Sequence, residues 1–390
     1  MRILSVGNSA DIYGASRCML RLFGRFVRGG HEVHVVLPEQ GPLIVHLEAA
    51  GIHVHIQPDL SVFDRKSIGS VASCLHFMIR FPISVTRLVV LLLRHRFDVV
   101  HTNTATLPSA AIAAALTRTP HVWHIRELFA EFSTPWILYQ RFISAMSAAI
   151  IAISICVSEQ FNATIRKKVI VIYDGLDETD RDNPDGVLMF RSRFPKDKLL
   201  VGVVGRIKWH RKGQEVLVRS AVLLKDRQPD VHYVIVGTSA PGNEDHERRL
   251  REFISECSLD STVTMAGDTH DPMSVFAALD IAVVPSVQPE PFGLVVIEAM
   301  SIGTPVVGSA CGGIVEQIVD GTSGLLFTPG DSEALACALD RLLRNESLRE
   351  QLVEGGFARV RSAFTIDETY RLTSNLFSEV ICHVPRDSCH

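Results

Sequence analysis

Two doubly wound α/β domains facing each other across a cleft, joined by a short polar linker, are the fold predicted for this 390-residue sequence. Three observations predict it. The chain is longer than one hydrophobic core usually organises, so two domains of roughly 150 to 200 residues each are expected. Short, β-branched apolar runs alternate with longer helical patterns from one end to the other. Those runs are continuous rather than alternating, as strands are when helices cover both faces of a parallel sheet.

In the first half the runs are Ile3 to Val6, Val33 to Leu37, Val54 to Ile56, Val99 to His101, His121 to Ile125, Ala149 to Ile153 and Val169 to Ile172. The polar stretch "DETDRDNPDG" then interrupts the pattern, which restarts at Leu199 with "LLVGVVG". It continues through "YVIVG" from Tyr233, "VTMAG" from Val263, "IAVVPS" from Ile281, "PVVGS" from Pro305 and "GLLF" from Gly324. The expected organisation is a first domain over 1–178, a linker over 179–186 and a second domain over 187–363. A helix over 364–390 follows and could return to the first domain. No fixed-period repeat is visible, which argues against a solenoid. Ligands of open parallel sheets bind at the carboxyl ends of the strands, so two such halves would enclose a cleft and motifs should follow strands.

Charge and cysteine usage exclude some classes. With 39 basic and 43 acidic side chains there is no global attraction to nucleic acid. The 8 cysteines occur singly, without Cys-x-x-Cys pairs or histidines at metal spacing, and read as reduced, mostly buried thiols. The amino terminus enters a strand-like run at Ile3 instead of a charged and then apolar leader, so the cytoplasm is the expected compartment. The segment 75–97, "LHFMIRFPISVTRLVVLLLRHRF", is apolar but carries Arg80, Arg87 and Arg94 at heptad spacing. A span wants about 20 mostly uncharged residues, so an amphipathic helix is the better reading, with Pro82 in its first turn. Two roles fit it equally: a domain-surface helix with a solvated arginine stripe, or a contact with a membrane surface.

The motifs do follow strands. After the first strand, "GNSADIYGAS" places Gly7 and Gly14 where backbone could approach an anion near a helix N-terminus, although a plain strand-to-helix turn reads the same way. "VVGRIKWHRKG" puts Arg206 directly after the strand that opens the second half and Lys212 at the start of a helix. Two fixed cations there suit a diphosphate; a solvated basic loop is the alternative. In "IAVVPSVQPEPFGLVVIEAMSIG", a strand is followed by a loop and then by a helix ended by Gly303. Phe292, Gly293 and Leu294 offer backbone N–H groups at that helix's N-terminus, where a phosphate is favoured. The carboxylates of Glu290 and Glu298 bracket this turn. They would be repelled by a phosphate, so they should meet hydroxyls, as a carboxylate does on a vicinal diol. The implied ligand is sugar, diphosphate, ribose.

These residues resemble the retaining glycosyltransferases of family 4, which have two Rossmann-like domains in the arrangement called GT-B and use nucleotide-activated sugars. The resemblance runs nearly the whole chain and rests on Glu-x7-Glu at Glu290 and Glu298, on Gly-Arg with a lysine six residues on at Arg206 and Lys212, and on "GGIVEQIVDGTSGLLFTPGD" from Gly312. It implies that Glu298 binds the ribose, that Glu290 lies beside the transferred sugar, and that Arg206 and Lys212 hold the diphosphate. It also implies that the loop at Gly14 joins the phosphate site and acceptor pocket, and that a histidine after an amino-domain strand, here His124, lies near the anomeric centre. Two departures, "YGASR" with Tyr13 before Gly14 and "DGLD" at Asp174, bear on acceptor contacts and cleft shape.

The activity so implied is transfer of a hexose from a UDP- or GDP-linked sugar to a saccharide acceptor, lipid-linked if 75–97 meets the inner leaflet, as in surface polysaccharide or glycolipid synthesis. The donor half carries no Asp-x-Asp at a strand end, so catalysis without a metal and without a further cofactor is expected. Retention is expected by front-face attack, since no carboxylate stands out as a nucleophile. Two other classes fit the same site: a nucleotide-sugar epimerase, which would isomerise donor alone, and a non-catalytic sugar-nucleotide sensor, which would bind donor without consuming it.

Overall fold

In unit 1, β1 (Arg2–Val6), β2 (Glu32–Leu37), β3 (His53–Ile56), β4 (Val99–Thr102), β5 (His121–Ile125), β6 (Ala149–Ala152) and β7 (Val169–Val171) form one sheet, in the order β3-β2-β1-β4-β5-β6-β7. In unit 2, β8 (Leu199–Val204), β9 (Val231–Val236), β10 (Val263–Gly267), β11 (Ile281–Val284), β12 (Val306–Ser309) and β13 (Leu325–Phe327) form a second, in the order β10-β9-β8-β11-β12-β13. All pairings between these strands are parallel. Each apolar run singled out above is therefore a strand. These are features of a computed structural model, which describes residues 1–63, 71–129, 133–177 and 183–383.

The chain divides into two units, one of Met1–Gly175 with the segment from Thr365, the other Leu176–Phe364. In unit 1 the helices are α1 (Gly14–Arg28), α2 (Leu43–Ala49), α3 (Val71–His95), α4 (Pro108–Leu116), α5 (Ser133–Ala145), α6 (Ile155–Glu159) and α7 (Ala163–Arg166). Unit 2 has α8 (Pro184–Arg191), α9 (Gln214–Leu224), α10 (Glu244–Glu256), α11 (Pro272–Ala278), α12 (Leu294–Ile302), α13 (Ile314–Gln317), α14 (Ser332–Arg344) and α15 (Glu346–Ala363). The last helix, α16 (Ile366–Cys382), belongs to unit 1.

Parallel strands need crossovers, and the crossover helices bury the strands on both faces. In unit 1, Ile3, Val33, Val35 and Val99 pack under α1 and α2, while Leu4, Val6, Val36 and Val100 pack under α3 and α4. The helix α16 completes the first of these layers. Phe377 is wholly buried and stacks on Phe26 of α1 at 5.5 Å, and Arg25 pairs with Asp367 at 2.5 Å. The aromatic burial, at about 1.5–3 kcal/mol per side chain, outweighs the partly exposed ion pair. In unit 2, one core joins Val201, Tyr233, Ile281 and Val307 to α9 and α14.

Several expectations change here. Residues 179–182 of the expected linker lie outside the described residues, and its last residues open α8 at Pro184. Residues 384–390 lie outside them too. Pro82 is inside α3 and not in its first turn, because the helix begins at Val71. The carbonyl that Pro82 leaves without a donor belongs to Met78, which is exposed, so water can replace the lost bond. Nor are the thiols mostly buried: among the described cysteines Cys18 is buried, whereas Cys74, Cys337 and Cys382 are exposed.

Candidate functional site

In each sheet the strand order reverses once, between β1 and β4 in unit 1 and between β8 and β11 in unit 2. Loops leaving the carboxyl ends of adjacent strands diverge at such a point and leave a crevice. The glycine loop at Gly7 and Gly14, the basic loop with Arg206 and Lys212, and the turn bracketed by Glu290 and Glu298 lie in or just after loops that leave the reversal strands β1, β8 and β11.

In unit 2, β8 leads into Gly205 and Arg206, and the loop turns back at Lys212 and Gly213 to begin α9. Gly213 has a φ of +69°, and a Cβ there would lie 1.9 Å from the carbonyl oxygen of Pro285. Only glycine lets this loop lie against the one that follows β11. The two loops are also joined by hydrogen bonds, with Val287 and Gln288 both donating their backbone N–H to the Arg211 carbonyl at 3.0 and 3.3 Å. Gln214 donates to the Arg206 carbonyl at 3.0 Å, fixing the other end of the basic loop.

This contact brings Lys212 to Glu290. The ammonium lies 2.8 Å from Glu290 Oε1, and the same oxygen accepts a 2.6 Å hydrogen bond from Ser286 Oγ. Glu290 is 9 % exposed. Burial alone would raise its pKa, but the Lys212 charge, the hydrogen bonds from Lys212 and Ser286, and the Arg211 charge outweigh burial and hold the carboxyl below the usual range. It is a carboxylate at neutral pH. Its backbone is clamped as well: Gly313 donates to the Glu290 carbonyl at 2.8 Å, and a Cβ on Gly312 would lie 2.3 Å from that oxygen.

Beyond Glu290, Gly293 takes a φ of +94° and caps α12 without a side-chain hydrogen bond, so the first turn presents its backbone N–H end at the crevice. Phe292 is buried, its ring 5.9 Å from that of Phe364, and Leu294 starts the helix. Glu298 lies in the second turn and is wholly buried, with interactions of its own. The two glutamates thus differ in access.

In unit 1, Gly14 is the first residue of α1, and a Cβ added there would meet no other atom within 4 Å. The sequence expectation put His124 near a reacting carbon. In the structure His124 is the fourth residue of β5 and wholly buried, and its Nδ1 lies 3.2 Å from Nε2 of the equally buried His101. Burial first, then the Arg126 charge and a neighbouring histidine, His121 for His101 and His101 for His124, hold both imidazoles well below the usual range, so both are neutral.

The residue that β5 delivers at its carboxyl end is Arg126. Its Nε donates to Asn103 Oδ1 at 3.0 Å, and Nη1 donates to Asp174. Nη2 is buried and has no hydrogen-bond partner among the described residues. Asn103, just past β4, in turn donates to the Ala15 carbonyl of α1 at 3.0 Å, so the guanidinium, two strand ends and the Gly14 turn form one network. Beside it, burial raises the Glu127 carboxyl to about 7 against hydrogen bonds from the Ala105 and Arg126 backbone. Sequence reasoning passed over Arg126 and Ser286. The available signal was position, since Arg126 stands directly after β5 and Ser286 two residues after β11, at the carboxyl ends of parallel strands.

Among the described residues, no three His, Cys, Asp or Glu side chains are grouped to hold a metal ion.

Comparison with known proteins gives matches for both halves of the chain. Residues 12–180 match the family model described as Glycosyltransferase Family 4, and residues 186–359 match that of Glycosyl transferases group 1. A D-inositol 3-phosphate glycosyltransferase of Stackebrandtia nassauensis is 36 % identical over 214 residues, 52 % of this chain and 47 % of that one. One of the same name from Salinispora arenicola is 31 % identical over 208 residues, 52 % and 46 % of the two chains. The match thus spans less than half the length of each relative. Among solved structures, Anabaena Alr3699/HepE in complex with UDP and glucose aligns over 97 % of this chain and 99 % of that one, with a TM-score of 0.82 and 24 % identity. A sucrose-phosphate synthase from Thermosynechococcus elongatus aligns over 98 % and 99 %, with a TM-score of 0.78 and 21 % identity. At these identities the likeness is one of fold.

Proposed function

Since the chain belongs to the group 1 glycosyltransferases, with a family 4 amino-terminal domain and the GT-B fold, we propose that it transfers a hexose from a UDP- or GDP-linked sugar to a saccharide acceptor. The observation that carries this reading is the convergence of the basic loop 206–212 on the loop and helix N-terminus at 286–294 within one unit. A diphosphate fits there and a metal is not required, because Arg206, Lys212 and the first turn of α12 supply positive potential where charge develops on the leaving group. That stabilisation of the leaving group is the main catalytic task.

Among the described residues the hydrogen bonds and ion pair of Glu290 fall on Oε1, so Oε2 is the oxygen assigned to the sugar's hydroxyls. Glu298 is assigned the ribose, and its burial means that the first turns of α12 must open to the ligand. In unit 1 the acceptor side is assigned to Arg126, whose buried Nη2 has no hydrogen-bond partner among the described residues, with His124 behind it as a neutral support. Retention follows from front-face attack, in which a leaving phosphate oxygen takes the acceptor's proton as the new glycosidic bond forms.

The exposed face of α3 supports a lipid-linked acceptor and a cytoplasmic protein held at the inner leaflet. One helix among the described residues, over Ser73–His95, is long and apolar enough to cross a membrane by length and composition. Leu75, Met78, Ile79, Ile83, Val90 and Leu93 are all exposed on it. A panel of UDP- and GDP-sugars scored by thermal stabilisation tests the donor reading. Absence of stabilisation by every member refutes it. Isomerisation of the bound sugar without any acceptor would show an epimerase instead.

A further inference from the structure

The pairing of Lys212 with Glu290 gives the donor site a property that neither residue has alone. Glu290 Oε1 is occupied on both sides, by the Lys212 ammonium at 2.8 Å and the Ser286 hydroxyl at 2.6 Å. The carboxylate cannot follow a moving ligand, because its own backbone is held by Gly312 and Gly313 and its head by Ser286. Lys212 is the movable partner, with its side chain 31 % exposed against 11 % for that of Glu290. A fixed negative charge therefore lies beside the cation expected to hold a diphosphate.

We propose that Ser286 and Glu290 are positioning and selectivity residues that make the site favour a nucleotide sugar over the nucleoside diphosphate left after transfer. The proposal rests on the donor reading above. While the hexose is present it stands between Glu290 and the distal phosphate, and its hydroxyls donate to Oε2. Once the anomeric C–O bond to the phosphate has broken, the sugar has moved to the acceptor and the phosphate oxygen has released to solvent the proton it took from the acceptor, nothing separates the carboxylate from a distal phosphate that now carries one more negative charge. Like charges a few ångströms apart in a partly desolvated crevice repel strongly. The same carboxylate that aids donor binding thus aids product release. Ser286 serves by keeping Glu290 ionised and immobile; it touches no ligand itself.

The test measures affinity for three probes in wild type, Glu290→Gln and Ser286→Ala: inorganic diphosphate, the nucleoside diphosphate, and whichever of UDP-glucose and GDP-mannose the wild type holds. Glu290→Gln should bind the sugar conjugate about tenfold more weakly while binding nucleoside diphosphate and inorganic diphosphate about tenfold more tightly. Ser286→Ala should move all three in the same directions by a smaller factor. In turnover, KM for donor should rise while the inhibition constant of the nucleoside diphosphate falls. That crossing separates the proposal from a structural role, which would weaken every ligand together. Parallel weakening, or unchanged affinity for the two diphosphates, overturns it. A wild type that holds no UDP- or GDP-sugar of the panel overturns the donor reading, and this one with it; one that holds another member of the panel has that member take the place of these two. Ser286→Ala removes only one hydroxyl, so it supplies the answer should Glu290→Gln fail to fold.

Discussion

Arg126 and Asp174 form an ion pair whose side chains are 4 % and 6 % exposed, where the carboxyl end of β5 meets the segment that follows β7. A pair so deeply placed gains little over an apolar substitute, because the desolvation of both charges offsets their attraction. Breaking it is another matter. Arg126→Met leaves the Asp174 carboxylate buried without its partner and should destabilise unit 1 by about 3–5 kcal/mol. The double variant Arg126→Met with Asp174→Asn should recover much of that loss while remaining inactive. Urea unfolding of the two variants measures both numbers, and equal stability of single and double variants would count against the pairing.

The neutral histidines behind Arg126 make stability depend on pH. His101, His121 and His124 are buried, and burial is the largest cause holding all three below their ordinary value of 6.5, His121 to about 3. A folded-state pKa below the unfolded one means that the unfolded chain binds more protons. The stabilisation is then complete above about pH 6.5 and is lost as pH falls toward the folded values. Each such histidine adds up to about 1.4 kcal/mol per pH unit to the slope in that window. His124→Gln should flatten the acid limb by about that amount, with transfer activity at pH 7.5 within about tenfold of wild type. An unchanged slope together with an activity loss of several orders of magnitude would return His124 to the reacting sugar.

The contrast between His124 and Arg126 marks where sequence stops being informative. Continuous β-branched runs such as "LLVGVV" and "YVIVG" identify strands, because burial on both faces is a property of the run itself. The loops after β8 and β11 were equally legible, since parallel sheets place ligand sites there. What could not be read is which residue of "HVWHIRE" leaves the strand. A one-residue change in where β5 ends moves a side chain between the core and the crevice, and periodicity does not fix that end. The Lys212–Glu290 pair was hidden for a different reason. It joins two loops 78 positions apart, and their approach depends on the missing side chain of Gly213.

Gly213 is accordingly a position where one methyl group should disable the site without touching ligand. Its Cβ would lie 1.9 Å from the Pro285 carbonyl oxygen, and its φ of +69° disfavours any L side chain. Backbone must move for Gly213→Ala to fold, and the basic loop would then withdraw from the loop carrying Glu290. The variant should lose about 1–3 kcal/mol of stability and weaken nucleotide-sugar binding by more than tenfold. Gly24→Ala is the matched control, because a Cβ there makes only an ordinary 3.8 Å contact with Ala50 and lies outside the donor-site residues. Unfolding and donor titration of the two variants should separate them clearly, and equal behaviour would mean that the loop contact does not organise the site.

The arginines of α3 turn out to serve the protein before any lipid. Arg80 donates to the Pro58 carbonyl at 2.6 Å and Arg87 pairs with Asp59 at 2.5 Å, so two of the three fix the helix to its own domain. A membrane contact must then rest on the apolar face, where Leu75, Ile79, Ile83 and Val90 project into solvent. Each fully inserted side chain of this kind contributes about 1.5–3 kcal/mol, and together they suffice for reversible surface binding. Ile79→Glu with Ile83→Glu should abolish flotation with liposomes while leaving the melting temperature within a few degrees, because both side chains are already exposed. Arg87→Gln should instead lower the melting temperature and change flotation little. If flotation follows the arginines and survives the two glutamates, the contact is electrostatic and the apolar face has another purpose; if wild type does not float at low salt, α3 does not meet a membrane.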